Sequence, residues 1–287
     1  MGKSRLASWE VSDEFWSRVE PLLPPAPRRD ETTQYARAAG AGRKRKDPRL
    51  VFEAIVYVLR TGCQWKALPA ERFGSASAIH KRFLEWARAE VFVRLWQAGL
   101  AEYDEMEGIA WRWQSIDETM VKTPLAQESV GPNPTDRGKN GSKRILLVDE
   151  RGAPLSIIVT GANRHDVTQW VTTLDSIVVE CPEVSGPIYP QNLCADAGFS
   201  GAPAHRQIAE RDYHPHVRLR GEEKVCHKNG YKPRRWIVEV AHSWFNRFRK
   251  LLVRYEKTHH SYLALNMLAA AIICFRKVPS EINIIYG

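Results

Sequence analysis

The chain has 287 residues, 44% of them hydrophobic, and its formal net charge of +9 gives a sequence pI of about 9.4. This length suggests one large domain or two smaller ones, and the basic charge favours a nucleic acid as partner. A membrane span is disfavoured because the longest apolar stretch is short, and a secretory signal segment because the N-terminus is polar. The five cysteines are scattered and form no C-x-x-C pair, which disfavours both a disulfide framework and a structural zinc site.

The first predicted helix runs from about Asp13 to Leu23, with Ser12 as its N-cap, and the prolines that follow end it. The polar stretch 28–47 comes next and is predicted to be a flexible loop. It ends in a basic run, for which a phosphate-binding arm is favoured over a generic charged segment because the whole chain is basic. The residues of this run are Arg43, Lys44, Arg45 and Lys46.

Two further helices are predicted before residue 109. One begins at Pro48, with Asp47 as N-cap, and the other begins after Ser75. The pair has the proportions of a helix-turn-helix-like unit, and Lys81 and Arg82 on the second helix suit phosphate contacts or groove reading. A small helical bundle with a solvated charged face explains the same pattern equally well. We predict an all-α, DNA-binding N-terminal domain over residues 1–108.

From residue 109 the periodicity becomes strand-like, and strands then alternate with helices. This order predicts an α/β domain over residues 109–279, with a mixed sheet flanked by helices, and a tail over 280–287. The predicted strands cover 109–117, 144–149, 155–160, 192–196 and 213–219, and a Gly-containing hairpin turn joins the second to the third. The predicted helices cover 166–179, where Asp166 is the expected cap, and then 202–211, 234–255 and 261–277.

Three acidic residues stand in contexts that suggest a metal site. Asp117 and Asp196 are each predicted to end a strand, and Glu239 lies on a predicted helix rich in Trp, Arg and Lys. If the two strands are neighbours, both carboxylates meet at one sheet edge, where open α/β sheets place ligands. Two Mg²⁺ ions about 3.5–4 Å apart can stabilise the attacking and leaving oxygens of a phosphodiester. For each acid alone, a turn, a cap or a surface ion pair is a sufficient explanation.

Neighbouring acids and cations complete the predicted site. Asp149 and Asp166 are left out of it, because a hairpin turn and a helix start explain them, and strand alternation turns Glu118 away from Asp117. The Gly-rich loop 136–144 suits phosphate contact, although a solvated loop is as good an explanation. The candidate DNA contacts in this loop and on the helix of Glu239 are Arg137, Lys139, Lys143, Arg144, Arg234, Arg235, His242, Asn246, Arg247 and Lys250.

Four segments of the chain resemble the DDE transposases of bacterial insertion sequences, in particular the IS-five-like group. They read SIDETMVK, DRGKNGSKRILLVDERGAPL, LCADAGFSG and RRWIVEVAHSWFNRFRKLLVRYEK. The N-terminal segments WKALP and SASAIHKRFLEW also resemble that group, so the resemblance covers nearly the whole chain. The pattern on the last helix fits in part: Arg235 has the family's offset to Glu239, whereas Asn246 stands where the family has Lys, a role that could pass to Arg247 or Lys250.

The resemblance implies an RNase H-like catalytic fold with Asp117, Asp196 and Glu239 as the catalytic, metal-binding triad. The expected cofactor is a pair of Mg²⁺ ions, for which Mn²⁺ can substitute. The implied activity is cleavage of double-stranded DNA at terminal inverted repeats and strand transfer into target DNA. A homodimer in a DNA complex, without membrane association, in the cytoplasm of a bacterium and near its nucleoid, is expected. The alternative is a catalytically inactive or repurposed protein that binds the inverted repeat.

Overall fold

The computed structural model describes residues 9–25, 45–182, 191–217 and 234–278. The basic run is therefore described only from Arg45 onward, and Arg43, Lys44 and the predicted tail 280–287 lie outside the described residues. The helices of the N-terminal region are α1 (Asp13–Val19), α2 (Pro48–Thr61), α3 (Ala70–Phe73), α4 (Ala76–Arg88) and α5 (Val91–Glu107).

The predicted ends of these helices are confirmed where a cap specifies them. Ser12 accepts a hydrogen bond from the Phe15 amide, and Asp47 accepts one from the Arg49 amide, so both are N-caps as expected. Gly62 ends α2 in the left-handed conformation, with φ of 74°. The predicted end of α1 at Leu23 was wrong. The chain tightens into a 3₁₀ turn over Glu20–Leu22, where a proline lacks the amide that an α-helix would need.

Helix α5 was not predicted as an element of its own. Its buried residues recur at helical spacing, but its N-cap position is Glu90, which has φ of 57° and makes no capping bond through its side chain. The familiar start signal is therefore missing. α5 packs along the C-terminal helix α9 (His259–Lys277). Gly99 permits this close approach, since a Cβ there would lie 3.1 Å from the Phe275 ring.

The strands form a mixed sheet, which confirms the predicted fold class. β1 pairs antiparallel with β3 and parallel with β5, β3 and β4 form the predicted hairpin, and β5 and β6 are parallel. Three antiparallel strands followed by two parallel ones give the arrangement expected of an RNase H-like sheet. The strands are β1 (Trp113–Lys122), β2 (Gly131–Pro132), β3 (Asn140–Asp149), β4 (Pro154–Gly161), β5 (Gln191–Ala195) and β6 (Tyr213–Val217).

The predicted position of the first strand was wrong in a way that affects the site. β1 begins at Trp113 and continues to Lys122, because its antiparallel ladder with β3 extends to the pair Lys122 and Gly141. Asp117 therefore lies in the middle of a strand and not at its end. The fourth strand ends one residue before Asp196, close to where it was predicted.

Three of the remaining helices are shorter than predicted, namely α6 (Trp170–Asp175), α7 (Ala202–Ala209) and α8 (Trp236–Asn246). Helix α9 begins two residues before its predicted start and ends where predicted. Asp166 begins a 3₁₀ turn and caps no helix through its side chain, so its predicted capping role was wrong. α8 ends at Asn246, and the chain then turns so that Val253 bridges to Lys122 at the end of β1.

The N-terminal helices and the sheet share one hydrophobic core. Trp96 of α5 is buried, and its indole N–H donates a hydrogen bond to the carbonyl of Pro154 at 2.9 Å. The helical region is thus fixed against the sheet by packing and by a buried hydrogen bond. No helix of the described residues is long and apolar enough to span a bilayer.

Candidate active site

The sheet brings Asp117 and Asp196 to neighbouring positions. β1 and β5 are parallel and adjacent, and Ser115 stands opposite Cys194 in their register. Asp117 follows Ser115 by two residues, and Asp196 follows Cys194 by two residues. The two side chains therefore lie at the same level of adjacent strands, which meets the condition on which the predicted site depended. The two side chains are also close enough to interact electrostatically, since the negative charge of Asp196 raises the pKa of Asp117.

Asp117 is held in surroundings that oppose its ionisation. Its side chain is 14% exposed, and burial, followed by the charge of Glu118, raises its pKa to about 7. Arg235 opposes this shift, with its Nη1 3.8 Å from Asp117 Oδ1. The excess of negative charge around Asp117 is thus only partly neutralised by the protein.

Asp196 is held by the turn that follows β5. It is the N-cap of a 3₁₀ turn over Ala197–Phe199, and its Oδ1 accepts a hydrogen bond from the Gly198 amide at 2.8 Å. A Cβ on Gly198 would lie 3.0 Å from Asp196 Oδ1 and 3.1 Å from Asp166 Oδ2. The carboxylates of Asp196 and Asp166 thus both lie close to Gly198.

Glu239 comes to the site on α8. This helix packs its buried face on β1 and β3, while Glu239 is exposed, with 53% of its side chain accessible to solvent. Arg235, the residue directly before this helix, lies 3.3 Å from Glu239 through Nη2. The guanidinium of Arg235 therefore lies between Asp117 and Glu239 and contacts both carboxylates.

Two carboxylates here are suited to a divalent cation. Among the described residues, no three His, Cys, Asp or Glu side chains lie close enough together to hold a metal. Asp117 and Asp196 nevertheless provide adjacent hard oxygen ligands in a partly buried, under-neutralised position, and Mg²⁺ is usually bound by one or two carboxylates together with substrate phosphates. Glu239 is solvent-exposed and ion-paired with Arg235.

A buried network supports the backbone of Asp117. His242 lies 3.3 Å from the Asp117 carbonyl through Nε2, and its Nδ1 lies 3.4 Å from Nη2 of the fully buried Arg144. Burial and the charge of Arg144 lower the pKa of His242 to about 3, so the imidazole is neutral. A neutral ring that accepts from Arg144 at Nδ1 donates from Nε2 to the Asp117 carbonyl. Asn246 also contacts Arg144, through Oδ1 at 3.4 Å.

Several residues expected to contact DNA face protein partners instead. Lys143 is buried and ion-paired with Asp166. Lys250 is 3% exposed, lies 3.1 Å from Glu256, and donates to the Cys63 carbonyl. With Arg144 and His242, these side chains have no free surface for a phosphate in this conformation. Lys250 is therefore poorly placed for the family's Lys role, whereas Arg247 is exposed.

Other predicted contacts do lie at the surface. Arg45 and Lys46 line one cavity of about 310 Å³ together with Lys81 and Arg82, so the basic run and α4 form a common cationic surface. Arg137 and Lys139 are exposed on the loop before β3. Arg234 is exposed, ion-paired with Glu150, and stacked over Trp113 at 4.3 Å.

Sequence reasoning left out two acids that belong to this neighbourhood. Burial, Asp166 and Asp196 raise the pKa of Glu118, while Lys143 lowers it. Asp166 approaches Asp196 across Gly198. Strand alternation predicted that Glu118 would point away from Asp117, whereas the charges of Asp166 and Asp196 both act on Glu118. No signal in one sequence indicated that Asp166 would approach Asp196 from a separate turn.

Two family profiles match the chain. Residues 11–96 match a family described as "Putative transposase of IS4/5 family", and residues 114–274 match the "Transposase DDE domain". The second profile covers more than half of the chain.

Relatives in bacteria agree with these profiles. A protein of Burkholderia cepacia described as "Putative transposase for insertion sequence element IS402" is 36% identical over 150 residues, which cover 50% of this chain and 68% of that protein. A second protein of the same organism, the IS402 uncharacterized 16.2 kDa protein, is 32% identical over 126 residues, covering 43% of this chain and 80% of its own.

Solved structures similar to the chain include the catalytic domain of Mos1 mariner transposase, at 8% identity with a TM-score of 0.28. The match covers 68% of this chain and 95% of that one. A Mos1 paired-end complex matches at 11% identity with a TM-score of 0.30, covering 85% and 82%. At these TM-scores the similarity adds nothing to the fold described above. The profile and the IS402 relative identify the family: the chain belongs to the DDE transposases of insertion sequences, and the expected enzyme class is confirmed.

Proposed function

We propose that this transposase cuts DNA at the ends of its insertion sequence and joins the freed ends to target DNA, with divalent ions held by Asp117, Asp196 and Glu239. The main support is the position of Asp117 and Asp196 at one level of two adjacent parallel strands. Membership of the DDE family supports the use of a divalent metal. Mg²⁺ is the proposed ion, and Mn²⁺ is its proposed substitute.

The protein's own groups have distinct parts in this reaction. When bound, a pair of divalent ions supplies activation of the attacking hydroxyl and stabilisation of the leaving oxygen. Asp117 and Asp196 present carboxylate oxygens from a rigid sheet, and Glu239 completes the set by leaving Arg235. The Arg235 guanidinium, which remains beside Asp117, can then also turn toward the two non-bridging oxygens of the phosphate, with which arginine pairs in bidentate geometry.

Double-stranded DNA is the proposed partner, both as terminal inverted repeats and as target. The net charge of +9 and the cationic surface of Arg45, Lys46, Lys81 and Arg82 support this assignment. The helical region that carries this surface is the proposed reader of the repeat. Because two ends are joined in one reaction, a homodimer is the proposed assembly.

The test is cleavage of a supercoiled plasmid that carries the flanking inverted repeats, in Mg²⁺ or Mn²⁺. We expect cutting at the repeat ends and joined products. Asp117→Asn, Asp196→Asn and Glu239→Gln should each lower the rate by about 100-fold or more, because metal ligation contributes several kcal/mol to the barrier. The matched control is Asp175→Asn, which removes a surface acid paired with Arg211 and should keep the wild-type rate.

Each other outcome has a definite meaning. Strand joining at the wild-type rate by Asp196→Asn would refute the triad. Wild-type protein that binds the repeat but cuts it in neither metal would support the inactive, repeat-binding alternative. Cutting without any joined product would indicate a hydrolytic nuclease.

A further inference from the structure

Four cationic side chains converge at the C-terminal ends of three helices. Arg60 lies in the last turn of α2, Arg247 directly follows α8, and Arg276 and Lys277 lie in the last turn of α9. Arg247, Arg276 and Lys277 line a cavity of about 210 Å³, together with Trp244, Phe248 and Ile273. We call these four side chains the cationic cluster.

Aromatic rings form the floor beneath these charges. The Arg60 guanidinium lies 5.7 Å from the centre of the Phe248 ring, and Lys277 Nζ lies 4.3 Å from the centre of a Trp244 ring. A cation over an aromatic face is stabilised by the ring quadrupole. Lys277 Nζ also donates a hydrogen bond to the Arg151 carbonyl at 2.6 Å. The cavity thus has an apolar base and a positively charged rim.

The charges of the cluster are close enough to oppose one another. Burial, then Arg60 and Arg247, lower the pKa of Arg276 to about 10, and Arg247 also contributes to a lowered pKa of Arg60. A helix C-terminus stabilises one nearby cation by about 0.3–1 kcal/mol. That effect explains a basic residue at each helix end, but it does not explain why three ends place their cations together. An anion in the cavity would turn the mutual repulsion into shared attraction.

The cluster lies along α8 from the proposed active site. Arg247 follows Glu239 by eight residues, which is about 12 Å along a helix and about 80° around it. A DNA strand rises roughly 3.4 Å per nucleotide and also winds around the duplex axis, so successive phosphates of one strand are about 6–7 Å apart in space. A strand whose reacting phosphate lies at Glu239 can therefore present another phosphate to the cluster about two nucleotides away.

We propose that the cationic cluster binds a backbone phosphate of the DNA about two nucleotides from the phosphate that is cut. This proposal rests on the proposed function, because the strand is located by Glu239. It adds Arg60, Arg276 and Lys277 to the DNA-contacting residues, of which only Arg247 was expected from the sequence. Arginine pairs with phosphate in a bidentate geometry, so two guanidinium groups at one cavity suit a single phosphate.

The test measures binding of a duplex with the element's terminal repeat, in EDTA so that no cleavage occurs, over a series of salt concentrations. The variants are Arg247→Gln, Arg276→Gln and the double variant. The double variant should lose about one phosphate contact, so the slope of log K against log salt should become shallower by about 0.9. Affinity at moderate salt should fall about tenfold. The matched control is Arg211→Gln, whose charge is already paired with Asp175 at 3.1 Å, and it should leave the slope unchanged.

A second set of duplexes locates the contact. One neutral methylphosphonate replaces a single phosphate at successive positions from the cut. At about the second position it should weaken binding by wild-type protein about tenfold, and it should have little further effect on the double variant. Circular dichroism identifies any variant that fails to fold. If Arg276→Gln fails to fold, the single variant Arg247→Gln, which replaces an exposed side chain, provides the test.

The proposal would be overturned if the slope of log K against log salt were the same in the variants as in the wild type. It would also be overturned if a methylphosphonate weakened binding by the same factor in variant and wild type at every position. Wild-type protein that binds neither the repeat nor a random duplex would instead refute DNA as the partner, so the two failures are distinguishable.

Discussion

Asp117 is the residue at which stability and the proposed activity conflict most clearly. Its pKa is raised from 3.8 to about 7, so the folded protein favours the neutral acid while the unfolded chain favours the carboxylate. A raised pKa of this kind stabilises the fold fully below the unfolded value and ceases to do so as pH rises through the folded value. Metal-free protein should therefore lose stability between about pH 4 and pH 8 through this one group.

Asp117→Asn should remove that loss. The amide is neutral at every pH, so the metal-free variant should equal the wild type near pH 4 and exceed it by about 2–4 kcal/mol in free energy of unfolding at pH 8. Urea unfolding in EDTA at the two pH values measures the difference. Addition of Mg²⁺ at pH 8 should stabilise the wild type and not the variant. A variant less stable than the wild type at pH 8 would contradict the electrostatic description of this site.

At the scale of secondary structure, the turn after β5 sets the position of Asp196. Gly198 leaves room for the carboxylates of Asp196 and Asp166, and an added methyl group would lie about 3 Å from both. The side chains would have to shift by a few tenths of an ångström. Phe199 at the end of this turn is buried in the core, and the Trp170 indole donates to its carbonyl. The core therefore holds the turn in place, and the shift should be confined to the two carboxylates.

Gly198→Ala should therefore impair the site more than the fold. We expect the metal concentration for half-maximal cleavage to rise about tenfold, as for other changes beside a metal ligand, with thermal unfolding nearly unchanged. Asp175→Asn is the control, because it changes a surface acid that is paired with Arg211 and lies outside this turn. If Gly198→Ala needed the same metal concentration as the wild type, the turn would accommodate the added methyl group without moving either carboxylate.

The elements that were predictable from the sequence are those with local signals. Caps at Ser12 and Asp47, the glycine after α2 and the turn between β3 and β4 all lie within a few residues of what they determine. The position of β1 depends on a ladder with β3, and the end of α8 depends on a bridge from Val253 to β1. Such partners are distant in sequence, so periodicity alone placed both boundaries incorrectly.

The candidate site shows the same division. The three acids could be chosen from their local contexts and from the resemblance, and the neighbouring strands bring two of them together. The placement of Arg235 between Asp117 and Glu239, and the burial of Lys250 against Glu256, depend on where α8 packs and on the reversal of the chain after it. A basic residue in the sequence indicates charge, but not whether that charge faces DNA or a protein carboxylate.

At the scale of the whole molecule, the contact between α5 and α9 joins the helical region to the sheet. The predicted division at residue 108 remains a prediction about domains, but the described residues on both sides of it contribute to one core. Shared burial of this kind favours a single cooperative transition.

Gly99→Val tests that coupling. The new side chain would collide with Phe275 and Cys274, and overpacking of this kind costs about 1–3 kcal/mol. We expect tryptophan fluorescence and far-UV circular dichroism to report one coincident transition in wild type and variant, at lower denaturant concentration in the variant. Ala101→Val, an exposed position on the same helix, should cost less than about 1 kcal/mol. Two separate transitions would show that the helical region folds independently.

The packing of α5 on α9 also orders events during synthesis. α9 is the final described helix, so about 150 residues of chain must follow α5 before the ribosome releases the surface on which α5 packs. Until then, the apolar side of the N-terminal helices lacks its main covering, and the nascent chain cannot complete its core. An mRNA truncated anywhere within the catalytic region should thus yield a protein fragment that proteases degrade. Such a fragment should not accumulate as a stable protein that binds the element's ends and blocks the intact enzyme.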